Sequence, residues 1–359
     1  MTQLFSKEKV NSSRQIEWDL AKVSAIFLMI LVHYFAFCTF GNLDYGIITE
    51  YMFILFQCSA PIFMFAMGIG MIYTRHDSPR EFVIRGIKLL LLGLIVNTMY
   101  FLSNYSAGVP LEYSLLSFLA NDILQFAGLT FILVGILKKF NVSTIRMALI
   151  SIVFSLIASY FSDFSFTNIY LNQLLGNLIE TFGQNTVSCF PILNWFIVPA
   201  FGMLFGENLI RCNDKDQLYK LILKPTAIIS LIFLIVGLIT REGMFSTVGG
   251  TVPEKLEYLH PSIPDIIILI AVILFIVSLL YFISKRLSPK ITDFIVKTSK
   301  NVTIIYIVQW ALILSLTYVN QFLQIKATLP IAILTLLFVL IATLILTEAY
   351  VKVRNLVLN

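Results

Sequence analysis

The chain has 359 residues, of which 58% are hydrophobic and only 13% charged, with a mean hydropathy of +0.89 and a formal net charge of +5. Soluble domains carry about 25% charged residues, so this composition excludes an ordinary soluble protein and reads as a polytopic membrane protein in contact with lipid. A nucleic-acid partner is excluded as well, because the basic residues flank hydrophobic runs and form no patch of their own.

Taken in order, apolar runs of the roughly 17–25 residues needed to cross a bilayer fall at about 20–40, 51–73, 82–103, 119–137, 145–161, 190–210, 222–240, 264–284, 301–319 and 328–350. They predict an all-α bundle of about ten transmembrane helices, a single domain over 20–350 with a polar segment 1–18 before it and a tail 351–359 after it. The first run is too long for a signal peptide and lacks a small-residue cleavage site, so it is expected to stay in the protein. Of the 25 Lys and Arg residues, 21 fall in alternate segments that include both termini, three in the opposite loops (Arg241, Lys255, Lys326), and Lys22 within the first span. By the positive-inside rule both termini are expected in the cytoplasm, and a multi-pass place in the plasma (inner) membrane is the expected location. The outer connections 104–118, 162–189 and 241–263 are long and rich in aromatic and turn residues, as loops roofing a cavity would be.

The first span, RQIEWDLAKVSAIFLMILVHYFAFCTF from Arg14 to Phe40, carries Asp19, Lys22 and His33. Ionisable groups inside a membrane segment cost a few kcal/mol each and usually face the bundle interior. Lys22 and His33 are eleven positions apart, which places them within roughly 20° on one helix face and about 16 Å apart along the axis. Asp19 lies one turn before Lys22, where an ion pair lowers the cost of both charges. Two plainer readings stand beside a functional one: Lys22 snorkelling to the headgroups, and His33 hydrogen-bonded between helices. His76 and His260 lie in separate loops, and three scattered histidines without closely spaced carboxylates give no metal-ligand set. Cys38, Cys58, Cys189 and Cys212 show no CxxC spacing, and no disulfide framework is inferred.

The pattern of an arginine, an acidic residue, D-x-x-K, an apolar helix and a late histidine resembles the transmembrane acyltransferase superfamily, comprising the acyltransferase type 3 proteins and relatives of the heparan-α-glucosaminide N-acetyltransferase type. Lys22 stands where the first group has arginine, keeping the charge and losing the bidentate fork. Further stretches are similar to the second group in the same order: APIFMFAMGIGM (60–71), DILQFAGLTFIL (122–133), FPILNWFIVPAFGMLFGENLIR (190–211) with Asn194 in place of a proline, and KNVTIIYIVQWAL (300–312), where Gln309 takes the place of a histidine or glutamine after a tyrosine.

The resemblance implies transfer of an acyl group, usually acetyl, from cytoplasmic acyl-coenzyme A to a hydroxyl or amine of an extracytoplasmic carbohydrate or lipid-linked sugar. Lys22, oriented by Asp19 and helped by Arg85, Lys88, Lys297 or Lys300, would hold donor phosphates. His33 would act as general base or as a transient acyl carrier. Asp122 and Gln125, one turn apart in the fourth span, together with Asn194, Trp195 and Gln309, are candidates for acceptor binding, with an indole of Trp195 or Trp310 stacking on a sugar. Interhelical hydrogen bonding is the plainer reading of each, and of Gln57 and Asn97. Pro61, Gly68, Gly70, Gly202 and Gly206 are expected to serve close helix contact. A transporter or flippase for a sugar or lipid-linked glycan, using the same buried charges as a pathway, is the alternative from another class, and a non-catalytic scaffold a third.

Overall fold

A computed structural model describes residues 4–38, 58–179, 188–240, 263–323 and 328–358, and these residues form an all-α protein. Its helices are α1 (Ile16–Cys38), α2 (Ser59–Tyr73), α3 (Pro79–Ser106), α4 (Leu111–Leu119), α5 (Ile123–Lys139), α6 (Thr144–Tyr160), α7 (Ile169–Gly176), α8 (Ile192–Trp195), α9 (Ile197–Ile210), α10 (Lys215–Thr240), α11 (Ile263–Ser284), α12 (Pro289–Lys300), α13 (Val302–Leu323) and α14 (Leu329–Leu358). Among the described residues seven spans are long and apolar enough to cross a membrane: α1, α3, α8 with α9, α10, α11, α13 and α14. The pair α4 and α5, bent by 45°, makes an eighth if taken as one broken span, and α2 and α6 are shorter apolar helices.

Helix α1 is the hub. It packs against α2, α11, α12, α13 and α14, and its buried side chains (Trp18, Ala21, Ala25, Ile26, Met29, Ile30, Tyr34) enter the main core. Two other helix pairs close through glycines, because lipid tails supply no hydrophobic drive between helices and contact has to come from close backbone packing. In the α2–α9 pair, a β-carbon at Gly68 would collide with the Pro199 carbonyl and one at Gly202 with the Phe65 carbonyl. In the α3–α5 pair, a β-carbon at Gly86 would come within 2.6 Å of the Gly128 carbonyl oxygen. Gly70 differs from this expectation: its α-carbon faces open space, with nothing within 4 Å of an added β-carbon.

The loops are more structured than their composition predicts. The connection 104–118 holds α4, entered through Gly108 in the left-handed region at φ 85°, and 162–189 holds α7, capped by the Asn168 side chain accepting from the Tyr170 and Leu171 amides. Residues 285–300 carry the amphipathic α12, with Ile291 and Phe294 exposed and Thr298 and Ser299 buried. The expected tail is the end of α14, which runs on to Leu358. Gln57, the start of the second expected span and the connection 241–262 with His260 lie outside the described residues.

Both ends of the chain gather at the Asp19 end of α1. The amino-terminal segment is tied to the turn after α9 by backbone bonds from Ser6 N to Arg211 O (2.8 Å) and Asn213 N to Leu4 O (2.9 Å). At the other terminus, Lys297 of α12 pairs with Glu348 of α14 at 2.8 Å, and Ser299 of α12 donates to Asp19 at 2.6 Å.

Candidate active site

Two polar clusters occupy opposite ends of α1. At the amino end Asp19, only 4% exposed, collects donors from three directions. Arg14 reaches it with a two-pronged guanidinium contact through Nε and Nη2, Ser299 donates through Oγ, and Lys22 Nζ lies 3.2 Å away. Because the Arg14 fork and Ser299 already satisfy the carboxylate, Lys22 is its loosest partner. Lys22 is paired with Asp19, and beyond that carboxylate the charges acting on it are the positive ones of Arg14 and Arg85. Arg85, seated 4.5 Å over the Phe131 ring, shares a recess with Lys88, Thr74, His76, Glu81 and Phe82. Its α3 wall starts from a capping box: Ser78 accepts from the Glu81 amide at 3.3 Å while Glu81 accepts from the Ser78 amide at 3.1 Å.

Lys297 and Lys300 line a different recess, with Asp293, Asn301 and Arg354 between α12 and α14, and the Lys297 ammonium is already paired with Glu348. Of the cations singled out from the sequence, Arg85 and Lys88 line one recess, Lys297 and Lys300 the other, and Lys22 neither.

At the other end of α1, side chains of α1, α3 and α13 and the Asp122 cap of α5 form one cluster. The His33 ring stacks on Trp310 of α13 with centroids 4.0 Å apart and 30° between planes, and His33 Nδ1 lies 2.8 Å from Nε2 of Gln309. Tyr306, one turn earlier on α13, approaches the His33 ring edge-on at 6.2 Å and donates its hydroxyl to Asp122 Oδ2 at 2.5 Å. The other Asp122 oxygen accepts from the Ile123 amide at 2.7 Å, capping α5. Tyr100 of α3 and Phe37 of α1 pack on Trp310 at 4.6 and 5.2 Å and complete an aromatic wall.

The local sequence explains why Asp122 stands there. The chain bends at 120–122, and Asn97 of α3 pins the bend by donating to the Phe118 and Ala120 carbonyls at 2.9 and 2.8 Å. Asn121 fastens the next segment, donating to the Phe190 carbonyl at 2.5 Å and accepting from the Cys189 amide at 3.0 Å. Asn97 thus serves the scaffold.

Of the residues singled out from the sequence, His33, Asp122 and Gln309 come together. Gln125 sits in the first turn of α5 facing Gly93, its Nε2 buried without a hydrogen-bond partner among the described residues. Asn194 and Trp195 are wholly buried in α8, the Trp195 ring edge-on to Phe190 at 5.4 Å, so chain covers the indole face that sugar stacking requires. The Trp310 face is likewise covered, by His33. Tyr306, Tyr100, Arg14 and Ser299 join the two clusters without having been singled out for them. Arg14 and Tyr306 stood within the quoted motifs, whereas nothing in the local pattern marks Ser299 or Tyr100.

The sequence model described as heparan-alpha-glucosaminide N-acetyltransferase, catalytic, matches residues 14–245. The chain belongs to this family. No curated protein and no solved structure matches it. The matched segment of this acetyltransferase catalytic-domain family begins at Arg14 and takes in Asp19, Lys22, His33, Arg85, Asp122 and Gln125. It stops before α13, so Tyr306, Gln309 and Trp310 are assigned to the cluster by geometry alone. Membership identifies a multi-pass membrane acetyltransferase enzyme and favours that reading over the transporter and the scaffold.

Proposed function

We propose that this enzyme moves an acyl group, acetyl by the family's name, from cytoplasmic acyl-coenzyme A to a hydroxyl or amine of a carbohydrate on the outer face of the plasma membrane. The observation that carries this reading is the layout of α1: a cation acted on by the positive charges of Arg14 and Arg85 near one end, and an imidazole in an aromatic cluster about 16 Å further along the same helix. Ten apolar helices then cross the membrane, α4 with α5 counting as one and α8 with α9 as another, with both termini in the cytoplasm beside Asp19.

Lys22, Arg85 and Lys88 hold the donor phosphates. They are preferred over Lys297, which Glu348 neutralises, and over Lys300 beside it. A thioester on a flexible arm reaches His33, which takes the acceptor proton as general base. Asp122, held by Tyr306, and Gln125, with its unpartnered amide, bind the acceptor.

The test is purified protein in lipid nanodiscs given labelled acetyl-coenzyme A and a panel of amino- and hydroxy-sugars. Transfer in the parent and its loss in His33→Ala, with donor binding retained, supports the proposal. Absence of both acyl-coenzyme A binding and thioester turnover overturns it.

A further inference from the structure

Gln309 is wholly buried, and its position against His33 leaves an unsolved pairing. With Gln309 Nε2 facing His33 Nδ1 at 2.8 Å, the amide donates, Nδ1 supplies the lone pair, and the ring proton must sit on Nε2. The Gln309 carbonyl oxygen then lies buried with no hydrogen-bond partner among the described residues. Amide oxygen and nitrogen are interchangeable by a half-turn about the last side-chain bond, so the network and the chemistry decide which is which. With the amide nitrogen facing Nδ1, His33 has no free lone pair: the one on Nδ1 is taken, and Nε2 carries hydrogen. Such an imidazole cannot accept a proton.

The opposite orientation frees the base, with the amide nitrogen taking the unpartnered place in exchange. The carbonyl accepts from Nδ1–H, and the lone pair moves to Nε2. Stacking on Trp310 fixes the plane of the ring and the Gln309 contact fixes its rotation. His33 is half-buried whereas Gln309 is wholly so, and because Gln309 occupies the Nδ1 edge, Nε2 is the ring nitrogen left for substrate.

We propose that Gln309 is the positioning residue of the reaction, its carbonyl holding the proton on His33 Nδ1 so that Nε2 is the base. The inference rests on the acyl-transfer reading for its chemistry. The acceptor O–H or N–H proton passes to Nε2 as the acceptor atom bonds to the acyl carbon. The C–S bond then breaks, and the same proton leaves Nε2 for the departing sulfur. Throughout, the Gln309 carbonyl faces the Nδ1–H of the imidazolium, a neutral counterpart of the carboxylate that orients histidine in other acyl-transfer sites.

The experiment is nitrogen-15 and carbon-13 magnetic resonance of histidine-labelled protein in lipid, with the His33 signals identified by their loss in His33→Ala. The expected parent spectrum shows the Nδ1–H tautomer. Gln309→Leu, which keeps the bulk and removes the acceptor, moves His33 to the Nε2–H tautomer and lowers kcat about 10- to 100-fold, with donor KM changed less than about twofold. Gln309→Glu, which keeps an acceptor at Nδ1, retains the parent tautomer and most of kcat. An Nε2–H parent, or an unchanged tautomer in Gln309→Leu, overturns the proposal, and the parent spectrum decides even if Gln309→Leu fails to fold. Because the tautomer is read without turnover, a protein that shows the tautomer switch yet transfers no acyl group sinks the acyltransferase reading and leaves the positioning role standing.

Discussion

At the scale of single residues, the two ends of α1 are governed by how many partners a buried carboxylate can collect. Asp19 is held by Arg14, Ser299 and Lys22, yet Arg14 and Lys22 are 41% and 29% exposed and stay partly solvated. Asp19→Ala should therefore destabilise the protein by about 2 kcal/mol, below the ~3–5 kcal/mol of a fully buried pair, measured as a shift in thermal unfolding in detergent. Asp122 is different because it performs two tasks, accepting from Tyr306 and capping α5. Asp122→Ala loses both and should cost more than Tyr306→Phe, which removes one hydrogen bond worth about 1–2 kcal/mol. In transfer assays both substitutions should raise the acceptor KM and leave donor affinity unchanged. An altered donor affinity would place Asp122 at the wrong end of the reaction. Lys22→Ala should instead weaken acetyl-coenzyme A binding, and Lys22→Arg should restore it; equal affinity in all three proteins would remove Lys22 from the donor site.

Between helices, the constraint is contact distance. Gly68 and Gly202 let α2 and α9 meet backbone to backbone, so Gly68→Ala or Gly202→Ala has to push the pair apart at a cost of about 1–3 kcal/mol. Gly70→Ala, two residues from Gly68 on the opposite face of the same helix and facing open space, should be neutral or slightly stabilising, since alanine is the better helix former. Detergent unfolding of the three variants checks this, and a destabilised Gly70→Ala would contradict the packing described. The α3–α4–α5 unit works similarly through hydrogen bonds. Asn97 caps two carbonyls that the 120–122 bend leaves free, and that bend places Asp122 against Tyr306. Asn97→Leu is expected to lose transfer by displacing Asp122, with the loss confined to acceptor KM if the rest of the bundle holds.

For the whole molecule, the amino-terminal segment, the turn after α9, α12 and the end of α14 all meet at the Asp19 end, while His33, Asp122 and Tyr100 sit at the other. Cysteine labelling in sealed vesicles should find positions 7, 213 and 287 reactive from the cytoplasmic side and position 108 from outside. Labelling of 213 from outside would invert the proposed direction of transfer. Donor binding separates the two basic recesses: Arg85→Ala with Lys88→Ala should weaken acetyl-coenzyme A binding about tenfold or more, and Lys297→Ala with Lys300→Ala by less than about threefold.

Hydropathy by itself was sufficient to find the seven helices long and apolar enough to cross a membrane among the described residues, because a bilayer imposes a minimum length of apolar chain and each helix satisfies its own backbone. Periodicity was sufficient to place Lys22 and His33 on one face of α1, since both belong to one helix. The partners of those residues were decided only by tertiary structure. Gln309 is 276 positions from His33, Ser299 280 from Asp19, and Tyr306 184 from Asp122. No local spacing encodes such pairs, because the contact forms only when separate helices pack. The same packing buried Trp195 and covered Trp310, two indoles whose composition alone suggested a sugar platform. A polar or aromatic side chain in a membrane helix announces that something must meet it, and the fold chooses what does.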